Sequence, residues 1–502
     1  MKLMKSLILG SAAGLVAMSG AQAADLPLKA KAVEYVRICS LYGAGFYYIP
    51  GTDTCIKLGG YLRAEVSVNT NSVNTGNTSG LGGAQNRLTN GYTWRSREDL
   101  NIDTRTATEY GVVRTYFDAT FTWTTGGYAS SGAGTTAYDA APAGTNGNGS
   151  VAGGSLGVYY AFIQFAGFTM GKAVSQFSAP WSAYPGNSTF DGLVGGGGTV
   201  TGVNQFTYTA EFGNGVSGSI GLQDPVQYYQ AGINNLAAAT VANLGYGSSD
   251  YAGSDIPDIV GQIRVDQAWG LFQASVAAHE NRAAFYGATE TTGSPGQKWG
   301  YAGQLALSIK NIPTGAGDSI NVQGVYTNGA TRYNIQDLAG SAGANTVFSG
   351  FGVGRVGFGF APDAVFAPGG SLQLIETWGM RGAFNHNWSP TWSSSLFGAY
   401  ATVNYNGTSK ALMCGVGGTV AANLGAGSTC NPDYNIGQIG ANLRWTPVKN
   451  LTFTAEAVYS MLDQKYSGTV VLPANTAGKP AGAYTLGDQD TWTVMLRAQR
   501  VW

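Results

Sequence analysis

A two-residue alternation of apolar and polar side chains recurs along most of this chain and limits the folds open to it. In "IKLGGYLRAEVSV" (56–68), one parity carries Ile, Leu, Gly, Ala and Val, whereas the other carries mostly polar or charged residues. The segments "NIGQIGANLRWTP" (435–447) and "NLTFTAEAVYSML" (450–462) repeat the pattern. A helical period does not explain this alternation. In a β-strand, successive side chains point to opposite faces, which does explain it. The alternation therefore predicts strands with one apolar and one polar face.

A soluble, exported β-sandwich would also alternate, so other features must separate it from a membrane barrel. The alternating segments run for about ten residues or more, longer than the usual strands of soluble proteins. Short turns such as "AG" (166–167), "NG" (214–215), "TGAG" (314–317) and "PVKN" (447–450) alternate with long loops rich in Gly, Ser, Thr and Asn. Charged residues are only 11% of the chain, aromatic residues are 12%, and 76 of 502 residues are glycine. These features favour an all-β fold, a transmembrane antiparallel β-barrel.

The chain begins with the features of a secretory signal peptide. Lys2 and Lys5 precede a short apolar run (7–18), and "AQA" (21–23) supplies the small residues that signal peptidase accepts. The run is too short to span a bilayer, and no later stretch offers the roughly 20 unbroken apolar residues of a membrane helix. We expect residues 1–23 to be removed on export, so that the mature chain starts at Ala24.

The alternation predicts about sixteen strands, an even number as antiparallel closure requires. They are expected near 56–69, 91–104, 109–125, 154–166, 168–174, 203–213, 215–224, 256–268, 270–282, 299–312, 318–330, 372–388, 391–405, 434–447, 450–463 and 489–502. The long loops are expected at 70–90, 126–153, 175–202, 225–255, 283–298, 331–371, 406–433 and 464–488. Region 331–371 stays open, because "FSGFGVGRVGFGF" (348–360) could be a loop or an additional strand.

The segment "QDTWTVMLRAQRVW" (489–502) is expected to close the barrel. Trp492 and Leu496 lie on its apolar parity, and Arg497 lies on the polar one. This strand must pair with the first, because an open edge in lipid would leave backbone groups unsatisfied. Trp502 would then lie at the membrane boundary. A terminal aromatic strand of this kind is also the segment read by the barrel assembly machinery, so Trp502 is the candidate assembly signal.

The four cysteines form two local pairs, Cys39 with Cys55 and Cys414 with Cys430. In an oxidising, exported compartment we expect each pair to close a small loop as a disulfide. The spacings are not CxxC, and both histidines lie far from either pair in sequence, so we expect no metal site.

The remaining composition argues against other functional classes. The formal net charge of −1 offers no electrostatic basis for binding nucleic acid. "GVGRVG" (352–357) satisfies GxGxxG, but no helix or acidic ribose partner follows it, so no nucleotide cofactor is expected. We expect no enzymatic activity and no cofactor.

The N-terminal block "EYVRICSLYGAGFYYIPGTDTCIKLGGYLRAE" (34–65) closely resembles the general diffusion porins of alpha-proteobacteria. The leader "KSLILGSAAGLVAMSGAQAADLP" (5–27) and the ending "MLRAQRVW" (495–502) resemble the same family. The resemblance implies a sixteen-stranded homotrimer of the bacterial outer membrane, among lipid and lipopolysaccharide. Each subunit would hold a water-filled pore for small hydrophilic solutes and ions.

The same resemblance assigns roles to two loops. The third long loop (175–202) would fold inward and narrow the pore, and the second (126–153) would latch onto a neighbouring subunit. In this chain the inward loop carries a single acid, Asp191, which is a departure from the family pattern. A single acid weakens the expectation of a strong electric field between loop acids and wall bases.

Charged residues of inward parity are the candidates for a pore constriction. Arg95, Arg97 and Asp99 share one parity in "TWRSREDLN" (93–101), and neighbouring strands bring further arginines to the same side. A row of guanidinium groups would favour anionic groups in transit. Some of these arginines could instead be ordinary lumen residues paired with inward carboxylates. The candidate constriction residues are Arg63, Arg95, Arg97, Arg114, Asp191 and Arg497.

Three alternatives stay open at this point, two of function and one of fold. Within transport, a substrate-selective channel with a tuned basic constriction is the alternative to a general pore. A barrel-type adhesin or structural surface protein would use the long loops to contact a partner. A soluble β-sandwich would be extracted without detergent.

Overall fold

The computed structural model describes most of the chain from Arg37 onward. The predicted signal peptide and nearly all of the predicted subunit latch (126–153) lie outside the described residues. The described ranges are 37–70, 92–124, 150–151, 154–181, 184–188, 192–197, 201–226, 229–240, 243–335, 346–350, 353–473 and 480–502.

Over these ranges, no helix combines the length and the apolar character needed to cross a bilayer.

Sixteen long strands form one antiparallel sheet that closes on itself, as predicted. They are β1 Cys55–Asn69, β2 Tyr92–Thr108, β3 Gly111–Thr124, β4 Gly154–Phe165, β5 Phe168–Ala173, β6 Val203–Gly213, β7 Val216–Gln223, β8 Asp258–Gln267, β9 Gly270–Asn281, β10 Lys298–Lys310, β11 Ser319–Asn328, β12 Glu376–Ser389, β13 Trp392–Asn404, β14 Tyr434–Val448, β15 Leu451–Gln464 and β16 Gln489–Val501. Each strand pairs with the next, and β16 pairs with both β15 and β1. The barrel therefore has no open edge to expose backbone groups to lipid.

The outer face of the barrel wall is apolar and the inner face is polar, as a membrane barrel requires. On β10, Leu305 is 60% exposed on the outer face, whereas its neighbour Gln304 is 3% exposed on the inner face. The same contrast separates Trp94 from Arg95 on β2. A soluble protein buries its apolar side chains, but this barrel presents them outward and keeps its polar side chains within. The outer face is therefore suited to lipid.

Short turns connect the strands at one end of the barrel. In the 166–167 turn, Ala166 and Gly167 both have positive φ angles, of 49° and 85°. Asn214 and Gly215 do the same, at 51° and 70°, as two-residue hairpin turns require. A Cβ on Gly215 would lie 1.9 Å from the carbonyl oxygen of Asp266, so no other residue fits there without a backbone shift.

The long connections at the other end build small elements of their own. One four-stranded sheet contains Ile233–Asn235, Ser248–Ser249, Ala364–Phe366 and Gln373–Leu374, and another contains Thr346–Gly350, Arg355–Phe360, Gly468–Leu472 and Gly482–Leu486. Region 331–371 thus holds additional strands, but they belong to the loops and not to the barrel wall. The other elements are the helix Gly407–Cys414, the 3-10 turns Ser40–Tyr42, Leu236–Ala238, Thr331–Tyr333 and Ala421–Asn423, and the short strands Tyr47–Tyr48 and Ser150–Val151.

We call the long connections after β7, β11, β13 and β15 the cap. Its core is aromatic and fully shielded from water, with Tyr246, Phe358, Tyr405 and Tyr466 among the buried side chains. The hydroxyls of Tyr246 and Tyr466 hydrogen-bond to each other across two loops. Burial raises the pKa of Tyr246 well above its ordinary value. The cap is therefore a packed unit and not a set of separate loops.

Both predicted disulfides are present. Cys39–Cys55 ties the segment before β1 to the start of that strand, and Cys414–Cys430 lies within the cap. The first therefore links the N-terminal segment covalently to the barrel, and the second closes a small loop within the connection after β13.

A buried histidine joins the cap to the wall. His279 on β9 contacts Asp258 on β8 through Nδ1, with 2.8 Å to Oδ1, and lies 3.5 Å from Asp363 through Nε2. Asp363 belongs to the connection after β11 and accepts backbone N–H groups from Ala231 (2.7 Å) and Thr331 (2.6 Å). This carboxylate therefore fastens two cap loops to one wall strand.

Candidate functional site

We call segment 175–202 the inner loop, and its described parts, 175–181, 184–188, 192–197 and 201–202, lie inside the barrel. Phe177, Ala179, Leu193 and Val194 are all essentially inaccessible to water, although no regular strand holds them. Its described parts contact β9 near the start of the loop and β16 further along. The inner loop therefore crosses the lumen, since these strands lie on different sides of the barrel.

Neutral amide side chains on β9 to β14, which we call the amide wall, hold the inner loop. Each forms a hydrogen bond with a backbone group of the loop, and no charge is needed on either side. The contacts are Gln273 Nε2 to Ser178 O (2.9 Å), Gln304 Nε2 to Phe177 O (2.7 Å), Asn321 Nδ2 to Pro185 O (2.7 Å), Asn385 Nδ2 to Pro185 O (3.2 Å), Asn442 Nδ2 to Gly186 O (2.9 Å) and Val194 N to Gln438 Oε1 (2.9 Å).

Glycines 195–197 of the inner loop pack closely against the barrel wall. A Cβ on Gly195 would lie 2.2 Å from the carbonyl oxygen of Met380, and Gly195 also has a φ of 86°. A Cβ on Gly196 would lie 1.9 Å from Nε2 of Gln323. At Gly195, only glycine allows the backbone to approach the wall this closely. At Gly196 the neighbouring atom is the end of a flexible side chain, so the requirement is weaker.

Across the barrel from β9 and β10, the strands β1, β2 and β16 carry four arginines, Arg63, Arg95, Arg97 and Arg497, which we call the basic wall. The strand register brings them together, since Glu65 lies opposite both Arg95 and Arg497, and Arg63 lies opposite Arg97. Glu65 forms ion pairs with Arg95 and with Arg497, at 2.6 Å from the latter. Its side chain is only 3% exposed, so one buried carboxylate bridges two strands.

The inner loop also reaches the basic wall. Arg497 donates from Nη2 to the carbonyl oxygen of Ser188, and the Ser188 N–H donates to Glu456 Oε2 at 2.6 Å. Arg444 donates to the carbonyl oxygen of Gly186. Further along, Arg381 on β12 donates from Nη1 to the carbonyl oxygen of Leu193 at 2.9 Å. Charged groups and amides therefore both hold the inner loop.

The remaining two arginines of the basic wall are held by neutral groups. Arg63 donates from Nε to Gln499 Oε1 at 2.8 Å, and its guanidinium lies 4.6 Å from the centre of the Tyr61 ring. Arg97 donates to Thr122 (3.0 Å) and to the hydroxyl of Tyr159 (2.8 Å). A polar cavity of about 180 Å³ separates this wall from the inner loop and is lined by Tyr61, Arg63, Arg97, Tyr159, Tyr184, Asn187, Ser188 and Arg497.

The comparison with known families agrees with this architecture. The family profile described as "Porin subfamily" matches residues 25–495, which is most of the chain. The chain belongs to this porin family. Its membership, together with a closed barrel that is apolar outside and polar inside, places it in the bacterial outer membrane.

Curated relatives and solved structures show how far the similarity extends. Porin Omp2b of Brucella suis is 34% identical over 278 residues, and the match covers 54% of this porin and 65% of that protein. Porin Omp2b of Brucella abortus (strain 2308) is 34% identical over 275 residues with the same coverage. The porin therefore spans somewhat less than two thirds of the length of these relatives.

A solved structure supports the fold. The crystal structure of the outer membrane channel DcaP of Acinetobacter baumannii aligns with a TM-score of 0.57 and covers 91% of this porin and 99% of that chain. The sequences are 16% identical, so the likeness concerns the architecture alone.

Not all predicted constriction residues come together in the porin. Arg114 lies opposite Arg105, near the short turn between β2 and β3, and donates to Asp103 at 3.0 Å and to Gln164 at 3.0 Å. Arg105 is eight residues beyond Arg97 on β2, roughly 26 Å at 3.3 Å per residue. Arg114 thus belongs to a separate ion cluster at the short-turn end. Asp191 lies outside the described residues.

The sequence interpretation missed the amide wall. Gln273 and Gln304 carry no charge, and neither does Gln323 on β11, which accepts a hydrogen bond from Trp181 Nε1 of the inner loop at 2.6 Å, so inward charge did not identify them. Their inward parity on three consecutive strands was a usable signal, because a polar side chain repeated at one level can hold a backbone segment. Tyr61 and Tyr159 were missed for the same reason.

Proposed function

We propose that this porin forms a water-filled channel for the passive diffusion of small hydrophilic solutes and ions. One observation carries the proposal: a closed barrel with a polar interior is crossed by a segment of its own chain. Such a segment narrows a lumen that would otherwise admit larger solutes, and the polar lining keeps the remaining space hydrated. The family assignment favours a channel over an enzyme.

We infer that the constriction lies between the inner loop and the basic wall. The amide wall is occupied by the loop backbone, whereas the cavity of about 180 Å³ beside Arg63, Arg97 and Arg497 is open to polar solutes. Arg95 contributes by holding Glu65, with a side chain only 6% exposed. We retain Asp191 as an acid on the loop side, and we leave Arg114 out.

We further infer a homotrimer, with 126–153 as the contact to a neighbouring subunit. The support for this assembly is the resemblance of the N-terminal block to trimeric porins. Trp502, at the end of the closing strand, is retained as the signal for the barrel assembly machinery, and lipid and lipopolysaccharide as the surroundings of the outer face.

Planar-bilayer recording tests the channel directly. Purified porin added to one side of the membrane should produce discrete conductance steps, and a trimer should close in three sublevels. Heat-denatured porin in the same detergent is the control and should give no steps. If the native protein gives no steps either, while it still mediates surface attachment, the adhesin alternative is favoured and the proposal is wrong.

A further inference from the structure

We propose that the cavity beside the basic wall is a binding site for small oxyanions, meaning an ionised carboxylate or phosphate group, and that Arg63 is the residue that contacts the anion. We call it the oxyanion site. The inference rests on the proposed function and extends it, because a site of this kind makes transport saturable, whereas a field of arginines alone gives only a preference for anions.

Arg63 differs from the other arginines in how its donors are used. Its Nε–H is taken by Gln499, and its plane lies over the ring of Tyr61. Among the residues that the structure describes, its two terminal amino groups have no hydrogen-bond partner, and the side chain is only half-buried at the cavity. A guanidinium held in place at the cavity, with both terminal amino groups available, can form two parallel hydrogen bonds to a carboxylate or phosphate.

Two fixed contacts orient Arg63 before any ligand arrives. Gln499 is its register partner on β16, so the bond between them follows from strand pairing. Tyr61 precedes it by two residues on β1 and therefore shares its face. A preorganised side chain loses little conformational freedom on binding, which favours a specific site.

Arg95 and Arg497 have different tasks. Arg95 is buried against Glu65, and Arg497 divides its donors between Glu65 and the Ser188 carbonyl of the inner loop. These contacts hold the loop and the wall together. Among the described residues, Arg63 is therefore the member of the basic wall whose terminal amino groups stay available to a ligand.

The local charge favours an anion in the oxyanion site. The basic wall contains four guanidinium groups, and Glu65 is the carboxylate that bridges two of them. Asp99, two residues beyond Arg97, is buried and accepts a bond from Asn101 at 3.4 Å. It weakens the positive potential without cancelling it. Arg444 and Glu456, which both contact Ser188 of the inner loop, add one charge of each sign.

The size of the cavity sets the class of ligand. The cavity of about 180 Å³ is smaller than the roughly 300–1,000 Å³ of pockets that hold drug-sized ligands. That space admits a phosphate ion or a short carboxylate with part of its hydration shell. It does not admit a drug-sized ligand. The site therefore fits the anionic group of a metabolite, whose remainder would extend into the channel.

Single-channel conductance in potassium phosphate tests the inference. We expect the wild-type current to saturate as phosphate rises from millimolar to molar concentration, whereas in potassium chloride it should rise almost linearly. In Arg63→Gln, the half-saturating phosphate concentration should increase about tenfold, since a charge-assisted hydrogen bond is lost. Arg63→Lys should recover only part of the effect, because it keeps the charge but not the fork.

Arg264→Gln is the matched control. Arg264 lies on β8 and pairs with Asp266 at 3.1 Å, remote from the oxyanion site, so its loss changes the net charge equally and should leave saturation unchanged. A linear phosphate current in the wild type, or equal half-saturation in wild type and Arg63→Gln, would overturn the inference while leaving the channel intact. A protein that forms no channel would overturn the proposed function, and the oxyanion site with it.

Discussion

The amide wall, on β9 to β14, and the basic wall, on β16, β1 and β2, line one lumen and are stabilised in different ways. Gln273 and Gln304 bind the inner loop through neutral hydrogen bonds at 2.9 and 2.7 Å. On the other side, Glu65 bridges two arginines within an ion-pair cluster. The neutral contacts position a backbone segment without setting a field, whereas the charged contacts set a field around an open cavity.

This difference assigns separate roles to the two sides. The amide wall determines the width of the passage, since it fixes where the inner loop lies. The basic wall determines which charges pass. The two properties should therefore change independently when one wall is altered.

The largest loss of stability is expected for Glu65→Gln. Removing one member of a buried ion pair leaves two guanidinium groups uncompensated, which costs about 3–5 kcal/mol of unfolding free energy. Urea unfolding of the detergent-solubilised porin would measure it. Asp266→Asn is the control, because that carboxylate is 45% exposed and its pair with Arg264 contributes at most about 1 kcal/mol. Equal midpoints for the two variants would contradict the role given to Glu65.

Arg95→Gln should lower stability by a smaller amount. Glu65 keeps its bond to Arg497, so the loss is that of one charged hydrogen bond, about 2 kcal/mol. The oxyanion site should still saturate with phosphate, because Arg63 is unchanged. Unfolding and phosphate conductance measured on one preparation would separate the two effects. A variant of normal stability that no longer saturates would reverse the roles of Arg95 and Arg63.

Gln304→Leu addresses the amide wall. It leaves the Phe177 carbonyl and the Gln323 amide without their partner, at a cost of about 1–2 kcal/mol. We expect noisier conductance, because the inner loop is less firmly held, and an unchanged ion preference. Gln267→Leu at the short-turn end of β8 is the control. A shift in ion preference without added noise would show that the two walls are not independent.

The smallest effect is expected at the short-turn end, near Asp318. Burial acts to raise the pKa of Asp318, but hydrogen bonds from Thr314, the Asn387 backbone and His386 outweigh it and lower that pKa to about 2. Because the folded pKa lies below the ordinary value, this carboxylate stabilises the porin above about pH 4, and the contribution is lost as pH falls towards 2.

An acid titration of wild type and Asp318→Asn checks this expectation. The wild type should be the more stable at pH 6, and the two should converge near pH 2. A difference that persists below pH 2 would have another origin.

The barrel wall was predictable because period-two alternation and turn residues act locally. The range predicted for β6, 203–213, is the observed one, and β13 and β15 agree to one residue at each end. β12 was predicted from 372 but starts at Glu376, because Gln373 and Leu374 pair with the cap strand Ala364–Phe366. That pairing depends on a loop far away in sequence, and alternation carries no information about it.

The site was predictable in part. The alternation identified which arginines face inward, but it does not give a residue's position along the barrel axis. Arg114 was therefore grouped with Arg95 and Arg97. Counting register from the turn at 109–110 aligns Arg114 with Arg105 and would have separated them. The path of the inner loop was implied only by family resemblance, because its contacts with the amide wall join residues more than 90 positions apart.

The reversal potential in a gradient of potassium chloride tests the division of roles between the two walls most directly. The wild type should prefer anions, Arg63→Gln combined with Arg97→Gln should shift the potential towards cations, and Gln304→Leu should leave it unchanged. A double variant with the wild-type reversal potential would contradict the claim that the basic wall sets the charge preference of the channel.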